Sequence, residues 1–373
     1  MKIFLAAGGT AFFAIFLLVC PKAASEAVSQ AISACLEIIV PSLFAFSAVS
    51  IYLQKSGLYR ILLKPFTFLL SKILRFDEEI CGIFLLANIG GYPVGITLLS
   101  ALVRENRITE KDAGRLLCCC FGSGPSFIIG IVGVRVFGSA AFGAAIFAAC
   151  FLASLITAIV VGARGKIALK PAPKALSLTS QTFVFSVSAA AKAMFSVCVM
   201  IVGFSVIAAA ARVVGLNTLA GDFFAMLGFG ENSSAILPAI LDVTRLKDIL
   251  PTKSAAAVCA GLLSFGGVCV FLQISALSQA VPLKSFLISR LPAAALAAAL
   301  AHAFTQALSV DVQTLAAAKV VFAQNSALSL CTLAMSAILL AQGRFSTVPP
   351  AALPRGFSQC LRRLKTFFCR KRS

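Results

Sequence analysis

The sequence contains no Trp, a single His and few charged residues. One histidine, His302, excludes most metal sites and catalytic triads that depend on imidazole, and the chain has neither a phosphate-binding loop nor a GxSxG motif. We therefore predict that the protein is not an enzyme and has no metal ion or organic cofactor. Charged residues make up 12% of the chain, against about 25% in soluble domains, which excludes an ordinary soluble fold.

Apolar residues make up most of the sequence. They make up 60% of the chain, with a mean hydropathy of +1.00, which predicts an all-α polytopic membrane protein. Thirteen Cys are scattered through the apolar runs, apart from the consecutive Cys118, Cys119 and Cys120, and we interpret them as packing residues. The net charge of +19 falls between apolar runs and in the C-terminal tail. It therefore indicates contact with a lipid bilayer rather than with nucleic acid.

The apolar runs predict about eight spanning helices plus two re-entrant or broken segments, arranged as inverted-topology repeats. Residues 1–27 contain a first transmembrane helix, which is also a possible signal anchor. The first repeat covers 28–175 and the second, inverted repeat covers 176–342. Residues 343–373 form a basic amphipathic tail suited to an anionic membrane surface.

The distribution of positive charge predicts the orientation. If 81–103 and 232–250 each turn back to the side they came from, one face carries 23 of the 32 Lys and Arg residues. The positive-inside rule makes that face cytoplasmic, so we expect a multi-pass protein of the cell membrane with both termini in the cytoplasm. Lys192 lies inside a predicted span, and it is expected either to reach the interface or to project into a binding cavity.

Glycine and proline interrupt several of the apolar segments, first in LANIGGYPVG at 86–95. In hydrocarbon such a break persists only where protein or a water-filled cavity surrounds the freed backbone groups. Broken membrane helices are typical of transporter binding sites, although glycines also allow kinked helices to pack closely. The predicted substrate-binding residues are Asn88, Gly90, Gly91, Tyr92, Pro93, Gly95, Ser123, Gly124, Ser126, Ser264, Gly266, Gly267 and Gln273.

Two carboxylates interrupt apolar sequence, at Glu37 and Asp242. A carboxylate inside a membrane segment costs about 2.5 to 3.5 kcal/mol on insertion scales, so Glu37 is expected to face the bundle interior. With Thr244, they are the predicted site for a coupling ion or proton, in practice H⁺ or Na⁺. The alternatives are a hydrogen bond from Glu37 to backbone freed by Pro41, and pairing of Asp242 with Arg245.

The two predicted halves share weak sequence similarity. FSAVSIYLQKSGL at 46–58 aligns without gaps to FSVIAAAARVVGL at 204–216, and FGSGPSF at 121–127 corresponds to FGGVCVF at 265–271. Inverted repeats with paired broken helices are the signature of secondary transporters that alternate access.

At these residues the chain resembles the YlbJ-type sporulation integral membrane proteins, in the nucleoside-recognition or Gate domain group. The matching pieces are VPSLFAF (40–46), GGYPVG (90–95), CCFGSGPSFIIGIVG (119–133), LDVT (241–244) and LLSFGGVCVFLQ (262–273). The resemblance implies a Gate-like domain in the first repeat, a fold related to concentrative nucleoside transporters, and a role in endospore formation. It also implies movement of dipicolinate, a small aromatic dicarboxylate.

Three functions follow as hypotheses. The first is a secondary transporter or facilitator of a small polar, anionic metabolite, with dipicolinate export from the mother cell as the implied case. The second is a non-transporting structural protein of spore cortex or envelope assembly, and the third is a nucleoside transporter. The expected partners are a small-molecule solute, the bilayer, and either a second copy of the chain or other sporulation membrane proteins.

Overall fold

The computed structural model describes residues 2–170, 176–252, 254–278 and 280–307, all within one unit of the chain. These residues form helices joined by short turns, and no strand occurs among them. The predicted helical fold is confirmed to that extent. The end of the predicted second repeat, 308–342, and the tail, 343–373, lie outside the described residues.

The helices are numbered in chain order. Those before residue 164 are α1 (Lys2–Val19), α2 (Pro21–Ala34), α3 (Val40–Ser56), α4 (Tyr59–Leu62), α5 (Lys64–Leu74), α6 (Glu78–Gly90), α7 (Tyr92–Arg104), α8 (Glu110–Leu117), α9 (Pro125–Phe127) and α10 (Ala140–Ala163). Those after it are α11 (Ser180–Val213), α12 (Leu216–Met226), α13 (Ser233–Leu241), α14 (Ala255–Phe265), α15 (Gly267–Leu277) and α16 (Lys284–Ala307). Cys35–Ile39 and Ile128–Val136 are π-helical, whereas Gly230–Asn232 and Val243–Asp248 are 3₁₀-helical.

The first predicted span bends sharply into the next helix. The segments Ala7–Val19 and Pro21–Glu37 meet at an angle of 98°. Proline disfavours a helical conformation in the residue before it, and Cys20 has φ −122° and ψ 53°. The bend therefore has a local cause in the sequence.

α6 and α7 form a hairpin that turns at Gly91, where φ is 94°. A Cβ on Gly95 would lie 3.2 Å from the Cβ of Ala87, although eight residues span about 12 Å in a straight helix. At the open end of the hairpin, Arg107 Nη1 and Nη2 donate to Glu79 Oε1 and Oε2 at 2.7 and 2.8 Å. The segment 81–103 therefore turns back on itself, as the sequence predicts.

A second hairpin follows in the other half of the chain. α13 ends at Asp242, which has extended backbone angles, and the 3₁₀ segment leads back from it. Asn232 Nδ2 donates to the Leu250 carbonyl at 3.0 Å, and the Leu250 amide donates to Asn232 Oδ1 at 2.7 Å. One side chain thus joins both ends of the segment 232–250.

The order of elements is the same in the two halves. α3 and α11 are followed by Gly57 and Gly215, both with φ 80°, and these glycines stand at the same position of the aligned sequences. A hairpin, a broken helix and a 24-residue helix come next in each half, and the 24-residue helices are α10 and α16.

Fewer candidate membrane-spanning helices than predicted occur among the described residues. Among the described residues four helices are long and apolar enough to cross a membrane, or five if the bent pair at Cys20 counts as one span. They are Ala140–Ala163, Ser180–Val213, Ala255–Leu277 and Lys284–Ala307. The expected eight spans are not confirmed, because the breaks leave half-helices such as the 13-residue α6 and α7, too short to cross about 30 Å of hydrocarbon alone.

The outer surface is apolar. Large side chains such as Leu18, Phe195, Met226 and Leu291 are 70% or more exposed. A soluble monomer rarely exposes so many large apolar side chains, whereas a lipid-facing surface requires them.

Candidate functional site

The two breaks of the first half contact each other. A Cβ on Gly124, where φ is 78°, would lie 3.0 Å from the Ile89 carbonyl oxygen and 3.4 Å from the Gly91 amide nitrogen. A Cβ on Gly95 would overlap the Cys120 carbonyl. The chain needs glycine at these two positions because backbone packs directly against backbone.

The breaks of the second half meet in the same way and contact those of the first. A Cβ on Gly267, where φ is 79°, would lie 3.0 Å from the Ile240 carbonyl oxygen, and one on Gly266 would overlap the ring of Phe121. Tyr92 Oη donates to the Leu263 carbonyl at 2.8 Å. All four interruptions therefore lie together inside the bundle.

A small cleft with a volume of about 30 Å³ opens beside this junction. Six of the predicted site residues line it: Tyr92, Pro93, Ser123, Asp242, Thr244 and Gln273. The remainder of its wall is apolar and comes from α3, α11 and the residues that follow each break. We call this the central cleft.

Helix N-termini surround the central cleft. α7 begins at Tyr92 and α15 at Gly267, and residues from the first two turns of each helix line the space. Free amides and the helix dipole make such ends favourable for anions. The first two turns of α7 and of α15 therefore border one small volume.

Asp242 is the acidic group of the central cleft. It is 4% exposed, and its carboxylate accepts hydrogen bonds from the Thr244 amide at 3.0 Å and the Thr244 hydroxyl at 2.7 Å. The sequence offers an ion pair between Asp242 and Arg245 as an alternative. Arg245 instead pairs with Asp248, and its Nη1 lies 3.8 Å from Asp248 Oδ2. Carboxylate and hydroxyl oxygens together suit a hard cation or a proton.

A second, polar pocket adjoins the cleft beyond Asp242. It shares Ile39, Phe127, Ile201, Asp242 and Thr244 with the central cleft. Its other walls include Gln30, Ser205, Arg245 and Lys247. The Asp242–Thr244 pair therefore stands between two spaces.

Tyr92 and Gln273 line the central cleft with an aromatic ring and an amide. The rings of Tyr92 and Phe121 pack with centroids 4.7 Å apart. Gln273 is 4% exposed, and its Nε2 donates to Cys269 Sγ, one turn earlier in the same helix, at 3.2 Å. Because sulfur is a weak acceptor, this amide remains well suited to bind a solute.

Other predicted residues surround the cleft without lining it. Asn88 Nδ2 donates to the carbonyls of Phe84 and Cys119 at 2.8 and 3.3 Å, and Asn88 and Ser264 line a separate small cavity. Ser126 Oγ donates to the Ser42 carbonyl at 2.6 Å. A Cβ on Gly90 would contact Ser50 Oγ at 2.8 Å. These residues join elements to one another.

Glu37 does not lie where the sequence predicted. It belongs to the π-helical segment Cys35–Ile39 and its side chain is exposed, whereas Ile39, two residues later, is buried and lines the central cleft. The expectation that Glu37 faces the bundle interior is wrong. Positions two residues apart point to different sides of a helix, so an apolar run alone does not indicate which side is inside.

Arg290 is a buried residue that the site prediction did not include. It is 2% exposed, and its guanidinium donates to the carbonyls of Cys118 and Ser264, the latter at 3.3 Å. It also lies over the rings of Phe121 and Phe286, 4.7 and 4.8 Å from their centroids. The sequence signal that could have found it is a cation inside the apolar helix 284–307, because a charged side chain within a membrane helix usually has a functional role.

Arg290 connects interrupted helices from the two halves of the chain. Its carbonyl partners stand at the C-terminal ends of α8 and α14, where the helix dipole favours a cation. No carboxylate pairs with this guanidinium among the described residues. The same part of the chain contains no group of three or more His, Cys, Asp or Glu side chains able to hold a metal ion.

These features define a helical, multi-pass membrane protein whose interrupted helices meet around an internal cleft. The chain is similar to the sporulation integral membrane protein YlbJ of Bacillus subtilis (strain 168), with 32% identity over 123 residues. The matched part covers 32% of this chain and 29% of that protein. The predicted resemblance to YlbJ-type proteins is confirmed over that segment. No family model matches the sequence, and no solved structure matches it.

Proposed function

We propose that the protein is a secondary transporter or facilitator for a small organic anion. The observation that carries the proposal is the central cleft, where interruptions from both halves of the chain converge and the first turns of two half-helices border one space. Paired interrupted helices of this kind bind solutes near the membrane midplane in secondary transporters.

Asp242 supports coupling to a cation. A carboxylate and an organic anion in one small cleft repel each other unless the carboxylate is protonated or holds a cation. Binding of H⁺ or Na⁺ at Asp242 and Thr244 would therefore favour binding of the anion. This linkage gives the proposed transporter its coupling mechanism.

The similarity to YlbJ suggests the biological setting. We infer that the solute is dipicolinate, exported from the mother cell during endospore formation, and that the repeats are inverted so that the cleft opens to each side in turn. An aromatic dicarboxylate would place its carboxylates at the half-helix ends and its ring against Tyr92 or Phe121.

Proteoliposomes containing the full chain test the proposal. We expect labelled dipicolinate to accumulate under an H⁺ or Na⁺ gradient. Asp242→Asn should abolish gradient-driven accumulation while leaving exchange between equal concentrations of solute. Asp248→Asn, a change of the same kind at an exposed position of the same segment, should leave both activities intact.

Two outcomes would favour another function. Accumulation of labelled nucleosides in place of dipicolinate would indicate nucleoside transport. A folded, correctly inserted protein that moves neither dipicolinate, nucleosides nor other dicarboxylates would favour the structural role in cortex or envelope assembly.

A further inference from the structure

A large cleft lies beside α11, apart from the central cleft and nearer the start of that helix. It has a volume of about 250 Å³, and three cations line it: Lys55, Arg104 and Lys192. Its other walls come from α7, α11 and the end of α15, with Thr97, Ser100 and Ser188 as polar residues. We call it the basic cleft.

The charge of the basic cleft is not balanced by the described residues. Lys55 Nζ bonds Glu105 Oε1 at 2.7 Å, and no acidic side chain is among the described residues that line the cleft. No hydrogen bond or ion pair is formed by Lys192 or Arg104 to the described part of the chain. Two positive charges therefore remain available to a ligand.

Lys192 lies inside a helix, Ser180–Val213, that is long and apolar enough to cross a membrane. It stands twelve residues after Ser180, the first residue of α11, or about 18 Å along the helix axis. Its side chain is exposed and lines the cleft. A lysine at that depth is costly unless water or an anion reaches it.

α11 lines both the basic cleft and the central cleft, through different sides of the helix. Phe185, Ser188 and Lys192 line the basic cleft, Val197 and Ile201 line the central cleft, and Ser205 lines the pocket beyond Asp242. At 3.6 residues per turn, Phe185, Ser188 and Lys192 lie on one side of the helix, and Val197, Ile201 and Ser205 lie on nearly the opposite side. From the first to the last they cover about 30 Å, the thickness of the hydrocarbon core.

We propose that the basic cleft is a second anion-binding site, which binds a small carboxylate. It binds one or two carboxylate groups through Lys192 and Arg104. The inference rests on the proposed function for the choice of a carboxylate as the solute, whereas binding in the basic cleft is tested independently. A lipid phosphate offers the same anionic oxygens, and the experiment separates these two sources.

The first test measures the electrostatic potential in the cleft without requiring transport. Ser188→Cys is introduced into the full chain in phosphatidylcholine nanodiscs. Its modification by an anionic and a cationic methanethiosulfonate is then followed by peptide mass spectrometry, with each rate normalised to a free thiol. We expect the anionic reagent to react roughly tenfold faster, as in a positively charged cleft. Lys192→Gln should remove most of that preference, and the exposed Lys111→Gln should not.

The second arm identifies the ligand. Dipicolinate in solution should protect the introduced thiol of the Ser188→Cys protein, and this protection should be lost with Lys192→Gln. Suppression of labelling by phosphatidylglycerol nanodiscs, with no protection by dipicolinate, would overturn the proposal in favour of a lipid site. An unchanged reagent preference in Lys192→Gln would overturn it outright. Absence of transport with dipicolinate protection intact would remove the proposed function and keep this site.

Discussion

Arg290 shows how one side chain holds the junction together. Its guanidinium bonds carbonyls 172 and 26 residues away in the sequence, on the last turns of α8 and α14. Those carbonyls lie at the C-terminal ends of interrupted helices. No amide of a following helical turn can therefore donate a hydrogen bond to them. Arg290 therefore satisfies the backbone of both halves at once.

Arg290→Gln should destabilise the protein. Two buried carbonyls would lose their donor, at a cost of about 2 kcal/mol or more. For a domain of ordinary size this corresponds to a melting temperature lower by roughly 5 °C. The measurement is size-exclusion chromatography of detergent-solubilised protein after heating. Arg135→Gln, an exposed position in a neighbouring apolar segment, is the control, and equal melting temperatures for the two variants would contradict the assigned role.

Gly95→Ala tests the contact between the first two breaks. A methyl group on Gly95 would overlap the Cys120 carbonyl, which is backbone and cannot turn aside. We expect a loss of about 1–3 kcal/mol, as for overpacked cores. Gly203→Ala is the matched control, because its Cβ would have nothing within 4 Å and alanine favours helix. The heating assay should lower the melting temperature of the first variant and leave or raise that of the second.

At the scale of elements, the two hairpins are closed by different chemistry. The first has a salt bridge between Glu79 and Arg107 at its open end, and the second has the amide of Asn232 on the backbone of Leu250. Each closure brings the ends of a segment together on one side. Because of this contact, each segment turns back towards the point where it begins.

Asn232→Ala should open the second hairpin. The Leu250 amide and carbonyl would both lose their partner, at a cost of about 1–3 kcal/mol. Limited proteolysis of the detergent-solubilised protein should then cut near 228–231 and 250–252 faster than in the unchanged chain. Ser234→Ala, exposed in the next turn, should digest at the original rate, and identical digestion of the two variants would rule out this closure.

The sequence predicts the positions at which glycine and proline interrupt the helices. Gly91, Gly124 and Gly266 all have positive φ, and such backbone is a property of the residue and its neighbours. The orientation of Glu37 was not predictable in this way. It depends on which side of the helix other elements cover, and that is decided by distant residues.

At the scale of the whole molecule, the repeated order of elements predicts opposite orientations for the two hairpins. Glu78 and Glu110 flank the first hairpin and Glu231 precedes the second, and all three are exposed. Cysteine replacements at these positions should react with a membrane-impermeant maleimide from opposite sides of sealed vesicles. We expect 78 and 110 to label from one side and 231 from the other.

Inside-out and right-side-out vesicles provide the comparison, and mass spectrometry of each peptide separates the new cysteines from the native ones. Labelling of all three positions from the same side would show that the repeats are not inverted. Labelling of 78 and 110 from different sides would contradict the first hairpin.

Composition and local pattern determined that this chain is a helical membrane protein and where its helices break, because hydrophobicity and glycine conformation act within a few residues of the chain. Tertiary structure alone decided which interruptions meet, that Asp242 and not Glu37 lines the central cleft, and that Arg290 joins α8 to α14. These outcomes depend on contacts between residues up to 172 positions apart. Such contacts form only when helices pack, and packing is set by the shapes of whole faces rather than by any short stretch of sequence.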